Sequence, residues 1–191
     1  MTTQSVPYPA RLQIDYPTAG LDRVTTFFRL IWAIPILIIA GALTGITWFA
    51  TALMIAARQR YPRWWFDYSL ELTRFTTRIW SYLALLTDRY PATEDEQSVH
   101  LEVDYPDVTR DLNRWMPLIK WFLAIPHYIV LFFIWIVAWF AIVIAWFAIL
   151  FTGRYPQALF DFVVGAIRWT VRVSAYAFLL VTDRYPPFSL D

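Results

Sequence analysis

The chain contains one segment twice, and each copy is built around a long apolar stretch that has no charged residue. The motifs LQIDYP at 12–17 and TDRYP at 87–91 delimit the first copy, and LEVDYP at 101–106 and TDRYP at 182–186 delimit the second. A period of about 90 residues is too long for a solenoid repeat and is typical of a duplicated membrane module whose halves pack as a pair.

This repetition divides the chain into five segments. We expect a polar N-terminal segment at 1–11, a first repeat at 12–91, an acidic linker at 92–100, a second repeat at 101–187 and a C-terminal tail at 188–191. Each repeat has the same order: a short strand, a membrane segment and an amphipathic helix.

The composition favours a membrane protein. Of the 191 residues, 59% are hydrophobic and 16% are charged, whereas a soluble domain has roughly 25% charged residues. Arginine and lysine crowd the ends of the apolar stretches and leave their interiors empty, as membrane proteins arrange their charge. The absence of cysteine excludes disulfides and cysteine-based metal sites.

The two charge-free stretches, 30–57 and 121–153, are long for one helical crossing of roughly 20 residues and short for two. A Gly/Thr cluster at 41–47, the pair Trp135 and Trp139 at the matching place, and basic residues at both ends of each stretch favour a tight hairpin of two short helices. The unbroken stripe from Phe132 to Ile149 favours one long tilted helix instead. A shallow loop within one leaflet is the third alternative.

An amphipathic helix is expected after each apolar stretch. In the first repeat, Asp67, Glu71, Arg74 and Arg78 are spaced to share one face, opposite a face formed by Trp65, Leu72, Ile79 and Leu83. Such a helix lies in the membrane interface. The second repeat keeps Asp161, Arg168 and Arg172, has Gly165 in place of Glu71, and is apolar enough to lie deeper or to cross.

The arginines of these helices are the candidate binding residues. They either balance charge at the cytoplasmic surface or form a site for an anionic lipid or ligand, because arginines inside a membrane are costly and often functional. The four candidates are Arg74, Arg78, Arg168 and Arg172.

Two short strands and a set of tyrosine corners complete each repeat. Residues 11–15 and 99–104 alternate apolar and polar side chains, so they are expected to pair across the repeats as a small cytoplasmic sheet or to form a dimer edge. Tyrosines that precede proline suit structural corners at the headgroup layer. These are Tyr16, Tyr61, Tyr90, Tyr105, Tyr155 and Tyr185.

The remaining motifs argue against an enzyme. His127 and His100 are the only histidines, no serine lies in a His and carboxylate motif, and 5 glycines form no phosphate loop. We expect no catalytic residue, no metal, no cofactor and no nucleic-acid partner, with His127 a satisfied or cytoplasm-facing imidazole.

The strings RLIWAIP at 29–35, KWFLAIPH at 120–127, FTGRYP at 151–156 and TDRYPPF at 182–188 resemble a bacterial membrane family, domain of unknown function 4389, which often occurs in tandem. The first copy departs from the family pattern at Ile36, which replaces the histidine, and at residues 57–60. The resemblance implies a bacterial membrane location and provides no catalytic residues.

These observations predict an all-α membrane protein, a duplicated helical-hairpin module with amphipathic interfacial helices and short cytoplasmic β-strands. We expect it to pass several times through the bacterial cytoplasmic membrane, with both termini cytoplasmic and anionic phospholipid around it. The expected role is a non-enzymatic scaffold or accessory subunit that binds a membrane protein or another copy of itself. The alternative is a small transporter or an anionic-lipid-binding protein that uses the arginine face between the repeats.

Overall fold

The computed structural model describes residues 8–44, 47–92 and 97–191, so most of the N-terminal segment, part of the acidic linker and two residues of the Gly/Thr cluster lie outside it. The described fold is mostly helical with one small sheet. In chain order its elements are β1 Ala10–Ile14, α1 Arg23–Thr44, α2 Thr47–Arg58, α3 Arg63–Leu83, β2 Val99–Val103, α4 Val108–Asp111, α5 Met116–Leu123, α6 Ile125–Thr152 and α7 Gln157–Ala177.

The two strands pair across the repeats, as their alternation predicts. β1 and β2 are antiparallel, and Leu12 lies directly opposite Leu101, its equivalent in the second repeat. Leu12 and Leu101 are buried on one face, while Arg11 and His100 are exposed on the other. The sheet therefore has one face packed on the helices and one polar face.

The amphipathic helices form as expected, each beginning directly after a proline, Pro62 or Pro156. On α3, Leu72 and Ile79 are buried. On the opposite face, Arg74 pairs with Glu71 at 2.5 Å. α7 is far more buried than α3, because it is covered on two sides.

The sheet covers the first of these sides, since β1 lies along α7. The Tyr8 hydroxyl donates to the carbonyl of Arg172 at 3.3 Å, Arg168 Nε donates to the carbonyl of Leu12 at 3.2 Å, and the Tyr16 ring meets Phe160 with centroids 4.9 Å apart. As β1 advances, its contacts move back along α7, so strand and helix are antiparallel.

Helix α6 covers the opposite side of α7. Trp135 Nε1 donates to Thr170 Oγ1 at 3.0 Å, and Thr170 lies two positions from Arg168, nearly opposite on the helix. α1 packs on α3 in the same way, through Ile36, Ala40 and Ile79. The molecule thus has three layers: the sheet, then α3 and α7, then the long apolar helices.

The predicted hairpin in the second repeat is wrong. α6 is one continuous helix of 28 residues that passes through Trp135 and Trp139, about 42 Å long. The sequence from His127 to Thr152 contains neither glycine nor proline, so nothing in it favours a chain reversal, and an unbroken helix satisfies every backbone group.

In the first repeat, Gly41 to Thr44 belong to α1 and Thr47 begins α2, while residues 45 and 46 lie outside the described residues. Where the structure describes them, α1 packs on α3 and α6, and α2 packs on α5. The two helices of the expected hairpin therefore find their partners elsewhere, two of them in the second repeat.

Candidate functional site

The candidate arginines Arg74 and Arg168 each hold the strand of the other repeat. Arg74 Nε donates to the carbonyl of Leu101 at 2.9 Å, as Arg168 Nε does to the carbonyl of Leu12. Leu12 and Leu101 are the central pair of the sheet. The two contacts are reciprocal, which is the property of an interface with two-fold symmetry.

Arg78 and Arg172 hold the chain that follows each TDRYP motif. Arg78 donates to the carbonyl of Ala92 at 2.6 Å, and Arg172 donates to the carbonyl of Ser189 at 2.5 Å. Burial lowers the pKa of the Arg172 guanidinium, and the charge of Arg168 lowers it further; burial also lowers the pKa of Arg78. The four arginines thus sit as two separate pairs, one on each helix, and both pairs bind backbone carbonyls.

A buried cation that is not one of the four candidate arginines lies at the start of the first apolar segment. The Arg29 side chain is 2% exposed and donates to the carbonyls of Tyr82 and Thr87 at 2.8 and 2.7 Å. It also forms an ion pair with Asp88 of the TDRYP motif. The other oxygen of Asp88 accepts the backbone N–H of Asp22 at 2.5 Å.

The second repeat has the same arrangement with lysine in place of arginine. Lys120 is 0% exposed, donates to the carbonyl of Thr182 at 2.7 Å and forms an ion pair with Asp183 at 2.7 Å. Asp183 Oδ2 accepts the N–H of Asn113 at 2.6 Å. The aspartate of each TDRYP motif therefore joins the end of one helix to the start of the apolar segment. The cation and its aspartate recur at equivalent positions in both copies, and this recurrence is the sequence signal that could have identified them.

The tyrosine corners also interact reciprocally. Tyr16 donates to the carbonyl of Tyr155, and Tyr105 donates to the carbonyl of Tyr61 at 2.5 Å. The Tyr61 hydroxyl reaches the carbonyl of Leu179 at 3.1 Å. Burial raises the pKa of both Tyr61 and Tyr155.

The third pair of corners lies beside the TDRYP motifs. Tyr185 donates to the carbonyl of Leu123 at 3.2 Å, and the Tyr90 ring packs edge-on against Tyr82 with centroids 5.8 Å apart. All six tyrosines thus lie where segments of the chain meet.

The histidines do not share a ligand set. His127 is buried, accepts a hydrogen bond from Trp169 Nε1 at its Nδ1 over 3.1 Å, and stacks on Phe188 with centroids 4.0 Å apart. His100 is exposed beside Asp15 at 3.2 Å. In the part of the chain that the structure describes, no three His, Asp or Glu side chains are grouped as a metal site would need.

Two neighbouring cavities lie between helices of the two repeats. The first, of about 560 Å³, is lined by residues of α1, α3 and α6, which include the indoles of Trp80, Trp135, Trp139 and Trp146. The second, of about 580 Å³, lies between α3 and α7 and carries five hydroxyl groups. These belong to Thr73, Thr76, Thr77, Thr170 and Ser174. Trp80 and Trp135 line both cavities.

Comparison with known proteins identifies one family. The profile of a domain of unknown function, DUF4389, matches residues 23–93 and 114–189, one match in each repeat. No curated protein and no solved structure matches the chain.

Proposed function

Because the chain belongs to the DUF4389 family, whose description assigns no activity, we propose its role from the geometry. It is a non-enzymatic scaffold or accessory subunit inserted in the cytoplasmic membrane of a bacterium. Its long apolar helices lie in the bilayer, and its sheet and both termini lie in the cytoplasm.

The observation that carries this proposal is the poor burial of the two apolar segments. The segments 23–58 and 116–152, of 36 and 37 residues, are long and apolar enough to cross a membrane, yet only 20% and 22% of the apolar 18-residue stretch within each is buried in the fold. In a soluble protein, a helix that is hydrophobic on all sides is buried. Here the bilayer supplies the missing cover.

The order of the layers favours long apolar helices that lie in the membrane plane, within one leaflet, over long apolar helices that cross the bilayer. β1 follows α7, and α6 packs on the other side of α7. If α6 crossed the bilayer with α7 alongside it, the sheet on the other side of α7 would carry exposed charges such as Arg11 and Glu102 into the hydrocarbon, which is costly. With α6 in the membrane plane, the polar face of the sheet meets water.

The ends of the long segments support the same orientation. Arg23 donates to the carbonyl of Phe151 at 3.3 Å, and Arg114 donates to the carbonyl of Ala56 at 2.6 Å. The start of each apolar segment is thus bonded to the end of the other, beside the tyrosine corners. Arginine is enriched on the cytoplasmic side, and the arginines at both junctions favour that side for both ends of both segments.

The scaffold role rests on how the buried polar groups are used. Arg29, Lys120, Arg168 and Arg172 bond to backbone carbonyls or aspartates of the chain itself. The outward faces of α1 and α6 instead present large apolar side chains such as Trp32, Phe133 and Phe140. Such faces suit packing against another membrane protein or another copy of the chain.

The orientation can be tested with single cysteines, because the chain has none. We would place them at Arg110 and Gln157, on either side of the second apolar segment, and at Phe140 in its middle, and apply an impermeant thiol reagent to intact and to permeabilised bacteria. In-plane helices predict that Arg110 and Gln157 label only after permeabilisation and Phe140 in neither case.

Two results would contradict the proposal. A hairpin that crosses the bilayer would label Phe140→Cys in intact cells. A single crossing would label Arg110→Cys or Gln157→Cys from outside, but not both.

A second candidate function, binding of an anionic lipid by the arginine faces, is favoured by two spare donors: Arg78 Nε and Arg172 Nε are buried without a hydrogen-bond partner. Replacing Arg168 and Arg172 by glutamine would then remove phosphatidylglycerol that co-purifies with the protein, because an amide cannot make the charged contact. A variant that keeps its lipid but accumulates poorly in the membrane would show that the pair is structural.

A further inference from the structure

The two cavities adjoin each other between the repeats, and each is large enough for a small molecule. Each volume, about 560 and 580 Å³, falls within the range of roughly 300–1,000 Å³ that ligand sites occupy. The indole-walled cavity is almost wholly apolar, and the neighbouring one carries the hydroxyl groups of α3 and α7. Trp80 and Trp135 line both cavities, so the cavities adjoin at these two indoles.

The hydroxyl groups are oriented by their own helices. Thr73 Oγ1 bonds to the carbonyl of Ser69 at 2.8 Å, Thr77 Oγ1 to the carbonyl of Thr73 at 2.7 Å, and Thr170 Oγ1 to the carbonyl of Ala166 at 2.8 Å. A carbonyl has no hydrogen to give, so each hydroxyl must be the donor in these bonds. Its oxygen then offers only lone pairs to the cavity.

These threonine oxygens therefore present hydrogen-bond acceptors to the cavity, and a ligand that bonds to them must supply the donor. Thr170 already accepts such a bond from Trp135 Nε1 at 3.0 Å, which shows how these oxygens are used. Thr73, Thr76 and Thr77 on α3 line the same space. An O–H group at the polar end of a ligand would match these acceptors.

Charge restricts the ligand further. All the residues that line the hydroxyl cavity are uncharged. Arg29 lines the indole cavity, and its charge is already balanced by Asp88. A carboxylate or phosphate placed here would be desolvated without a counter-charge, which is strongly unfavourable.

The indole cavity opens on the side where the orientation proposed above places the bilayer, and the route of entry rests on that proposal. Leu30 is 75% exposed and Trp139 is 59% exposed at the rim of the indole cavity, and both belong to the apolar helices. An apolar chain can enter from the acyl layer and lie against the indoles without passing through water.

We propose that the two cavities together bind a long-chain lipid whose polar end is an uncharged hydroxyl group. The hydroxyl donates to the threonine oxygens between α3 and α7, and the hydrocarbon chain lies against Trp80, Trp135 and Trp139. The site is separate from the four arginines, and it would exist whether or not the protein serves as a scaffold.

The test uses the full chain in phosphatidylcholine vesicles and hexadecanol that carries a diazirine in its chain. Photolysis followed by peptide mapping should show saturable labelling of peptides from α3, α6 and α7. The matching methyl ether lacks the donor and should label about two- to tenfold less. The matching carboxylic acid, ionised at pH 7, should label less than the alcohol.

Variants separate the cavity from the outer surface of the helices. Thr76→Val combined with Thr170→Val removes two acceptors at nearly constant shape and should lower saturable labelling several-fold, and Ser174→Phe should abolish it by filling the space. Thr152→Val is the control, because Thr152 makes the same kind of bond within α6, to the carbonyl of Ala148 at 2.7 Å, outside the cavity. Circular dichroism verifies that each variant is folded.

Three results would overturn the proposal: equal labelling by the methyl ether, stronger labelling by the carboxylic acid, or saturable labelling that survives in folded Ser174→Phe. The last would place the alcohol on the outer face of the helices.

Discussion

Helices α3 and α7 occupy equivalent places in the two repeats but are covered differently. α3 carries Glu71, which pairs with Arg74 at the surface. α7 carries Gly165 at the same position, and a Cβ there would lie 2.8 Å from the carbonyl oxygen of Leu190 in the C-terminal tail. The missing charge in the second repeat therefore follows from contact with the chain's own tail and does not require a deeper position in the membrane.

The buried cations differ in a parallel way. Arg29 has two carbonyl acceptors besides Asp88, whereas Lys120 has one besides Asp183. The second repeat therefore depends more on its aspartate than the first does. The two repeats place their buried cations at equivalent positions, but the aspartate partner contributes differently to stability in each repeat.

Removing Asp88 or Asp183 should change the stability of the protein more than any other substitution considered below. Asp183→Ala leaves Lys120 buried without a counter-charge and should lower the free energy of unfolding by about 3–5 kcal/mol. Asp88→Ala should cost less, because Arg29 keeps both carbonyls. Chemical denaturation in detergent, followed by circular dichroism, measures both values.

Asp67→Ala is the matched control, because its ion pair with Arg63 is exposed and such pairs contribute about 0–1 kcal/mol. Equal losses in Asp183→Ala and Asp67→Ala would mean that the buried pair has no special weight.

Adding a methyl group to each helical glycine should sharpen the comparison of coverage. Gly165→Ala forces the tail away from α7 and should cost about 1–3 kcal/mol. Gly41→Ala, within α1, has no neighbouring atom within 4 Å of the new Cβ and should stabilise the protein by up to about 1 kcal/mol. Thermal unfolding of the two variants gives the signs.

Deleting residues 190–191, which removes Leu190 and keeps Phe188 on His127, provides the control for the first glycine. In the shortened chain, Gly165→Ala should no longer be destabilising. A cost that persists would locate the strain within α7 itself.

The smallest expected effect concerns the reciprocal corners. Tyr16→Phe and Tyr105→Phe each remove one hydrogen bond to a backbone carbonyl of the other repeat, so each should cost about 1 kcal/mol. Tyr90→Phe, at an exposed ring, should stay within about 0.5 kcal/mol of the native protein. The two variants should lose the same stability. If the unfolding curves of Tyr16→Phe and Tyr105→Phe differ by more than repeated measurements of the native protein do, the symmetry of the corners is contradicted.

The local patterns predicted much of the fold. Alternation identified the strands and suggested their pairing, and the spacing of Asp67, Glu71, Arg74 and Arg78 identified the polar face of α3. The hairpin failed in the second repeat because Trp135 and Trp139 are equally compatible with a helix that lies along the protein. Tryptophan at an interface does not reveal whether the chain reverses there.

The partners of the site residues were beyond reach of the sequence. The four arginines were found on the right face, but they bind backbone carbonyls, which every residue carries and no pattern marks. The sequence pattern places Arg29 and Lys120 only among the basic residues at the ends of the apolar stretches, although Asp88 and Asp183 recur with them in both repeats. Tyr16 bonds to a residue 139 positions away, a contact that only the three-dimensional arrangement reveals.

The strand of each repeat packs on the helix of the other repeat, β1 on α7 and β2 on α3. This arrangement determines the order in which parts of the chain can fold during synthesis. The contacts of Tyr8 and Leu12 with α7 join residues 164 and 156 positions apart, so β1 leaves the ribosome long before the helix that it covers. α3 likewise waits for β2. Non-local contacts of this kind slow folding, and a chain that stops after the first repeat has an unpaired strand whose nearest complement is the same strand of another copy.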